Sequence, residues 1–183
     1  HPTLQRKLAK LFGEYSKDRQ IILATHSPYF TNIDFLAKGA VIARAHQKDN
    51  KSCISQISPK TAEKLQGLLK NKNNPHILDL AAKEIFFIDE KIILVEGQED
   101  VVFLPVIQKE TVNLNGTLFG WGVGGASNME FIASMLRDLS FSKVVGILDA
   151  NKSEELKKLK SEFHEYHFFS IPTDDIRSKD ASP

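Results

Sequence analysis

Apolar residues recur along this chain with two rhythms, and the change from one to the other divides it. From Pro2 to about Tyr15, Leu4, Leu8, Leu11 and Phe12 stand at helical spacing with basic residues between them, which predicts an amphipathic helix. Ile21, Ile22 and Leu23 form a short apolar run closed by Thr25-His26-Ser27-Pro28, the pattern of a brief buried strand. In "GAVIARAHQKDNKSCISQIS" two β-rich runs flank the polar turn Gln47 to Lys51, which predicts a hairpin. Ser58-Pro59 then places a capping hydroxyl and a first-turn proline at the head of a helix that runs to about Leu69. The stretch "NKNNP" ends it, and a second helix is expected from about His76 to Phe87.

From Lys91 the pattern becomes strand, helix, strand. "KIILVEG" is a continuous apolar strand ending in Glu96-Gly97, and "EDVVFLPVIQK" reads as a helix. "GTLFGWGVGG" gives a strand and a glycine-rich turn, "ASNMEFIASMLRDL" a helix, and "KVVGILDANK" a third strand. "SEELKKLKSEF" is a charge-laced surface helix, and "YHFFSIPTDD" contains a fourth strand. Continuous apolar strands alternating with helices imply an α/β fold with a mostly parallel sheet flanked by helices. A composition shift near residues 70–78 marks the strongest boundary.

Composition narrows the class. The 183 residues suffice for one large domain or two small ones, and 42% hydrophobic content supports a true core. With 24 Lys+Arg against 23 Asp+Glu, no global basic field advertises nucleic acid, so any contact with DNA must be local. The single cysteine, Cys53, excludes an intrachain disulfide framework and a cysteine-rich zinc module. Nothing in the chain approaches 18 continuous apolar residues, so a soluble, cytoplasmic protein without a membrane partner is expected. The abrupt opening at His1-Pro2 and the close at "DDIRSKDASP" suggest a fragment of something longer.

Candidate chemistry lies in the acids. In an open parallel sheet, ligands bind outside the carboxyl ends of the strands. Glu96 ends the first strand of the alternating region, Asp149 ends the third, and Asp174-Asp175 follow the fourth. Asp100, four residues after Glu96, lies on the first turn of the next helix and can return to the same rim. Such an oxygen-rich cluster suits Mg²⁺ or Mn²⁺. Asp149-Ala150-Asn151-Lys152 also reads as the turn that starts the following helix, because Asp and Asn favour such turns. The glycines at 120, 122, 124 and 125 read either as a phosphate cradle or as a tight connection, and Trp121 as a buried aromatic or a stacking surface. Lys152 reads as an ordinary solvated lysine or as a partner for a phosphate.

"IILVEGQEDVVFL", "GWGVGG" and "VVGILDANK" together resemble the Toprim domain shared by type IA topoisomerases, bacterial primases and nucleases of the OLD (overcoming lysogenisation defect) family. The resemblance covers about residues 88–176. It implies that Glu96, Asp100 and Asp149 hold metal, with Asp175 in the acidic segment "PTDDIRSK" after the last core strand. Asn151 stands where the family has a second aspartate, keeping a carbonyl oxygen but losing a charge. At a few ångströms from a divalent ion that charge is worth a few kcal/mol at an effective dielectric near 20.

Upstream, "QIILATHSP" resembles the switch strand of ABC-type ATPases, and the resemblance gives His26 a nucleotide γ-phosphate to contact. "HPTLQRKLAKLF" is similar to the segment after the Walker B region of that group. The domains implied are an ATPase tail over 1–57, connecting helices over 58–87, and a Toprim domain over 88–183. An ATPase tail followed by a Toprim domain is the organisation of OLD-family nucleases, including Gabija-type large subunits. The resemblance thus implies an ATP-regulated DNA endonuclease of antiphage defence, with Glu96, Asp149 and Asn151 in its catalytic centre and two metal ions in its scheme. It also implies a homodimer or higher homo-oligomer, and a helicase-like or other defence-system partner. The chain lacks a Gly-x-x-x-x-Gly-Lys-[Ser/Thr] loop, so hydrolysis of ATP is not expected of it alone. The alternative is a Toprim module weakened at Asn151 that regulates or assembles the ATPase.

Overall fold

A computed structural model of the chain describes residues 1–31, 35, 38–70, 91–111, 115–120 and 123–172, with the backbone alone at 65–70 and 107–111. The expected helix at 76–87, Trp121, Gly122, Asp174 and Asp175 lie outside the described residues. The chain divides into two compact units, His1–Phe87 and Ile88–Pro183.

In the first unit, α1 (Pro2–Tyr15) carries proline in its first turn, where a missing N–H costs nothing. Its inner face meets the segment around residues 27–30. The Phe12 and Phe30 rings lie 6.1 Å apart, the Arg6 guanidinium stands 5.2 Å over the Tyr29 ring, and the Ser27 hydroxyl donates to Gln5 Oε1 at 3.2 Å. The expected hairpin forms as β1 (Ala43–Lys48) and β2 (Lys51–Gln56), paired antiparallel. Asp49 and Asn50 join them with φ of 50° and 58°, the left-handed pair of a type I′ turn whose twist matches the strands. The helix α2 (Pro59–Lys70) begins as expected, with the Thr61 N–H donating to the Ser58 hydroxyl at 3.3 Å.

Ile21 to Leu23 do not form a buried strand. The segment has no regular structure, and Ile22 and Leu23 are 85% and 46% exposed. A strand needs a neighbour to take its N–H and C=O groups, and among the described residues none pairs with this run.

The second unit alternates as the sequence pattern expects: β3 (Lys91–Leu94), α3 (Gln98–Thr111), β4 (Thr117–Phe119), α4 (Ala126–Asp138), β5 (Lys143–Leu148), α5 (Ser153–Glu162) and β6 (His167–Ser170). The four strands form one sheet in the order β4-β3-β5-β6, parallel throughout. Register places Ile92, Leu94, Val144, Gly146, Leu148 and Phe168 on one face, and all are buried. Helices α4 and α5 cover that face, tied by the Glu130–Lys158 ion pair and by the Arg137 guanidinium 4.6 Å over the Phe163 ring. The other face carries Ile93, Val145, Ile147 and Phe169, and its burial fades towards β6, where Phe169 is 56% exposed. The Tyr166 hydroxyl closes the core by donating to the Phe141 carbonyl at 2.8 Å.

Candidate functional site

Strands β3 and β5 are neighbours, yet their onward connections leave in opposite directions, β3 through α3 to β4 and β5 through α5 to β6. This is the switch point of an open parallel sheet, where a crevice opens beyond the carboxyl ends because the loops part to either side. Glu96 follows β3 and Asp149 follows β5, so the two acids flank that crevice.

The flanks are bonded together. Glu96 Oε1 accepts the Asp149 N–H at 2.7 Å, a contact between residues 53 apart in sequence. The main-chain oxygen of Glu96 accepts the Gly125 N–H at 3.1 Å, which ties in the loop before α4. The next peptide N–H, that of Gly97, donates to Asp100 Oδ2 at 3.0 Å. Three loops therefore meet at one residue. They meet closely: a Cβ on Gly120 would stand 2.1 Å from the Gly97 oxygen, so only glycine lets the β4–α4 loop lie against the β3–α3 turn.

Glu96 is half-buried, and its carboxyl holds its proton above the ordinary carboxylate range. Burial is the main cause. The charges of Asp149 and Asp100 act in the same direction, whereas the Asp149 N–H and the Lys152 charge act against it. These couplings gather Asp149, Asp100 and Lys152 in the electrostatic neighbourhood of Glu96.

The segment Asp149-Ala150-Asn151-Lys152 is a turn, closed by the Lys152 N–H on the Asp149 oxygen at 3.1 Å, and α5 starts directly after it. It is also one wall of the crevice, so the two readings of this stretch are compatible. Asn151 is exposed on the turn, and Lys152 is half-buried. Asp100 occupies the third position of α3, and its bond to Gly97 is the reach-back half of a capping box.

Among the described residues, no three His, Cys, Asp or Glu side chains converge as a group able to hold a metal ion. The donor chemistry at the crevice nevertheless fits Mg²⁺ or Mn²⁺: hard carboxylate oxygens on Glu96 and Asp149, a neutral oxygen on Asn151, and a Glu96 carboxyl whose raised proton affinity a cation would oppose. Asp175 lies outside the described residues. His26 belongs to the first unit, exposed at a bend in which Thr25 Oγ1 accepts the Ser27 N–H at 3.0 Å, the geometry of a simple hydroxyl turn.

A cavity of about 260 Å³ opens at the opposite, amino-terminal edge of the sheet, between Lys91, Lys143, Glu165 and His167, away from Glu96 and Asp149. The residues that sequence reasoning missed are backbone donors. The Gly125 N–H had a signal in the glycine run before a helix. The Asp149 N–H had none, because its partner is chosen by strand order. No family model matches the chain, and no curated protein matches it. Among the described residues no helix is long and apolar enough to cross a membrane.

Proposed function

We propose that this chain carries the Toprim-type centre of a metal-dependent DNA endonuclease, part of an ATP-regulated, OLD-like protein that acts in antiphage defence. The observation that carries the reading is the bond from the Asp149 N–H to Glu96 Oε1, which unites the two acid-bearing strand ends at the switch point of the sheet. The order of motifs in the second unit supports the family. The ATPase resemblance of the first unit supports nucleotide control through His26, a homo-oligomeric parent and a helicase-like partner.

Glu96 and Asp149 would hold the ion, with Asn151 as a neutral oxygen donor. A divalent ion bound there supplies charge to polarise the phosphodiester and the attacking water. Glu96, whose burial raises its proton affinity, takes the proton from that water at its carboxylate. Lys152 brings a positive charge coupled to Glu96, suited to a phosphate oxygen. The test is nicking of supercoiled plasmid by the natural full-length protein with Mg²⁺ or Mn²⁺, beside its Glu96→Ala variant. Metal-dependent nicking that vanishes in the variant is the expected result; full activity in the variant would sink the assignment.

A second reading, a regulatory or assembly module, is favoured by the missing charge at Asn151 and by the lack of three convergent ligands among the described residues. Asn151→Asp separates the two. Nicking gained only in that variant identifies a degraded nuclease, and nicking lost identifies asparagine as native to the chemistry.

A further inference from the structure

Asp100 reads by sequence as a metal ligand, but its geometry gives it another task. The peptide unit between Glu96 and Gly97 is held at both ends. Its C=O accepts the Gly125 N–H at 3.1 Å, and its N–H donates to Asp100 Oδ2 at 3.0 Å. A trans peptide is planar, so its C=O and N–H point in opposite directions and the two bonds together prevent the unit from rotating. Rotation of that plane is rotation about ψ of Glu96. Fixing it fixes where the Glu96 side chain leaves the chain, and so the approach of Oε1 to the Asp149 N–H. The N–H of Gly97 also stands at the head of α3, where no helical carbonyl can accept it. A carboxylate makes the stronger kind of acceptor for such a donor.

We infer that Asp100 is a positioning residue that locks the Glu96–Gly97 peptide and thereby aims the Glu96 carboxylate into the crevice. The inference rests on the reading of that crevice as a metal centre, but the clamp is a matter of hydrogen bonding and does not depend on metal. The two roles open to Asp100 make different demands. A ligand draws much of its hold on the ion from its charge, whereas a clamp needs only an acceptor oxygen at that place. Asparagine supplies the oxygen without the charge, and alanine supplies neither.

Two measurements on the natural full-length protein decide it, each made on wild type, Asp100→Asn and Asp100→Ala after melting curves confirm that all three fold. The first is exchange of the Gly97 amide, read without metal by fragmentation mass spectrometry. Protection is expected in wild type and in Asp100→Asn and should be lost in Asp100→Ala; equal protection in all three would overturn the clamp. The second is Mn²⁺ binding by calorimetry. Groups that orient a ligand without touching the ion typically account for about 10- to 100-fold in metal affinity, so Asp100→Ala should weaken Mn²⁺ by about that factor. Asp100→Asn, which keeps the acceptor oxygen, should bind Mn²⁺ clearly more tightly than Asp100→Ala and close to wild type. If asparagine loses Mn²⁺ as fully as alanine, Asp100 is a ligand and the inference falls. If alanine binds Mn²⁺ as wild type does, Asp100 is merely a helix cap and the inference falls as well. No Mn²⁺ uptake by wild type would overturn the metal reading of the crevice and the aiming role with it, while the Gly97 exchange would still decide whether the clamp itself exists.

Discussion

Two side chains show how burial assigns work to single polar groups in the second unit. Glu96 is half-buried among other acids and keeps its proton longer than an exposed glutamate does, which suits a group that alternates between proton and cation. Tyr166 is buried, and burial pushes its hydroxyl well above the ordinary tyrosine value, so the hydroxyl keeps its proton and donates it to the Phe141 carbonyl. Tyr166→Phe removes this hydrogen bond and should cost about 1 kcal/mol, read by urea denaturation. The sign of its pH dependence follows from the raised value. The unfolded state gives up this proton first, so stability is intact below the ordinary tyrosine value and falls as pH rises through it. The phenylalanine variant should lack that part of the alkaline decline.

Elements here are set locally and joined by loops whose fit is close. Ser58 caps α2, Asp49-Asn50 turns the hairpin, and Asp100 caps α3, each by chemistry visible within a few residues. The β4–α4 loop is different. Gly120 lies against the Gly97 oxygen so closely that a methyl group has no room, and the clashing atom is backbone that cannot swing aside. Gly120→Ala should therefore destabilise the protein by about 1–3 kcal/mol in a denaturation experiment. It should also free the Gly97 amide to exchange, because the two loops must part. These glycines were legible in the sequence as a tight connection. What they touch was not, since the contact is made across the sheet.

At the scale of the whole molecule, strand order makes the site. The sequence β4-β3-β5-β6 sets β3 beside β5, so two acids far apart along the chain flank one crevice. Gathering them there has a consequence for stability. Because Glu96 holds its proton more tightly in the folded state, the unfolded state ionises first as pH rises from the ordinary glutamate range. The stability associated with Glu96 is thus present at low pH and lost as pH rises through its raised value. Glu96→Gln keeps an acceptor for the Asp149 N–H and removes the titration. Its stability relative to wild type should climb across that window and then level off, as measured by thermal melting at a series of pH values. Saturating Mn²⁺ should recover wild-type stability at the upper end, since the ion binds the folded form.

Local pattern alone determined most of the elements. Period, caps and turn residues act between near neighbours, so the hairpin, α2 and the strand–helix alternation from Lys91 could be read in order, as could the acid that closes each of β3 and β5. The apolar run at Ile21 to Leu23 shows where that reasoning stops, because a strand exists only with a partner and no run of residues carries its partner within it. Tertiary structure alone decided that Glu96 bonds to Asp149, and that Gly125 takes the oxygen of the peptide whose N–H Asp100 already holds locally. Each of these depends on which strands lie side by side, and that order is fixed by burying the apolar faces of the whole sheet at once.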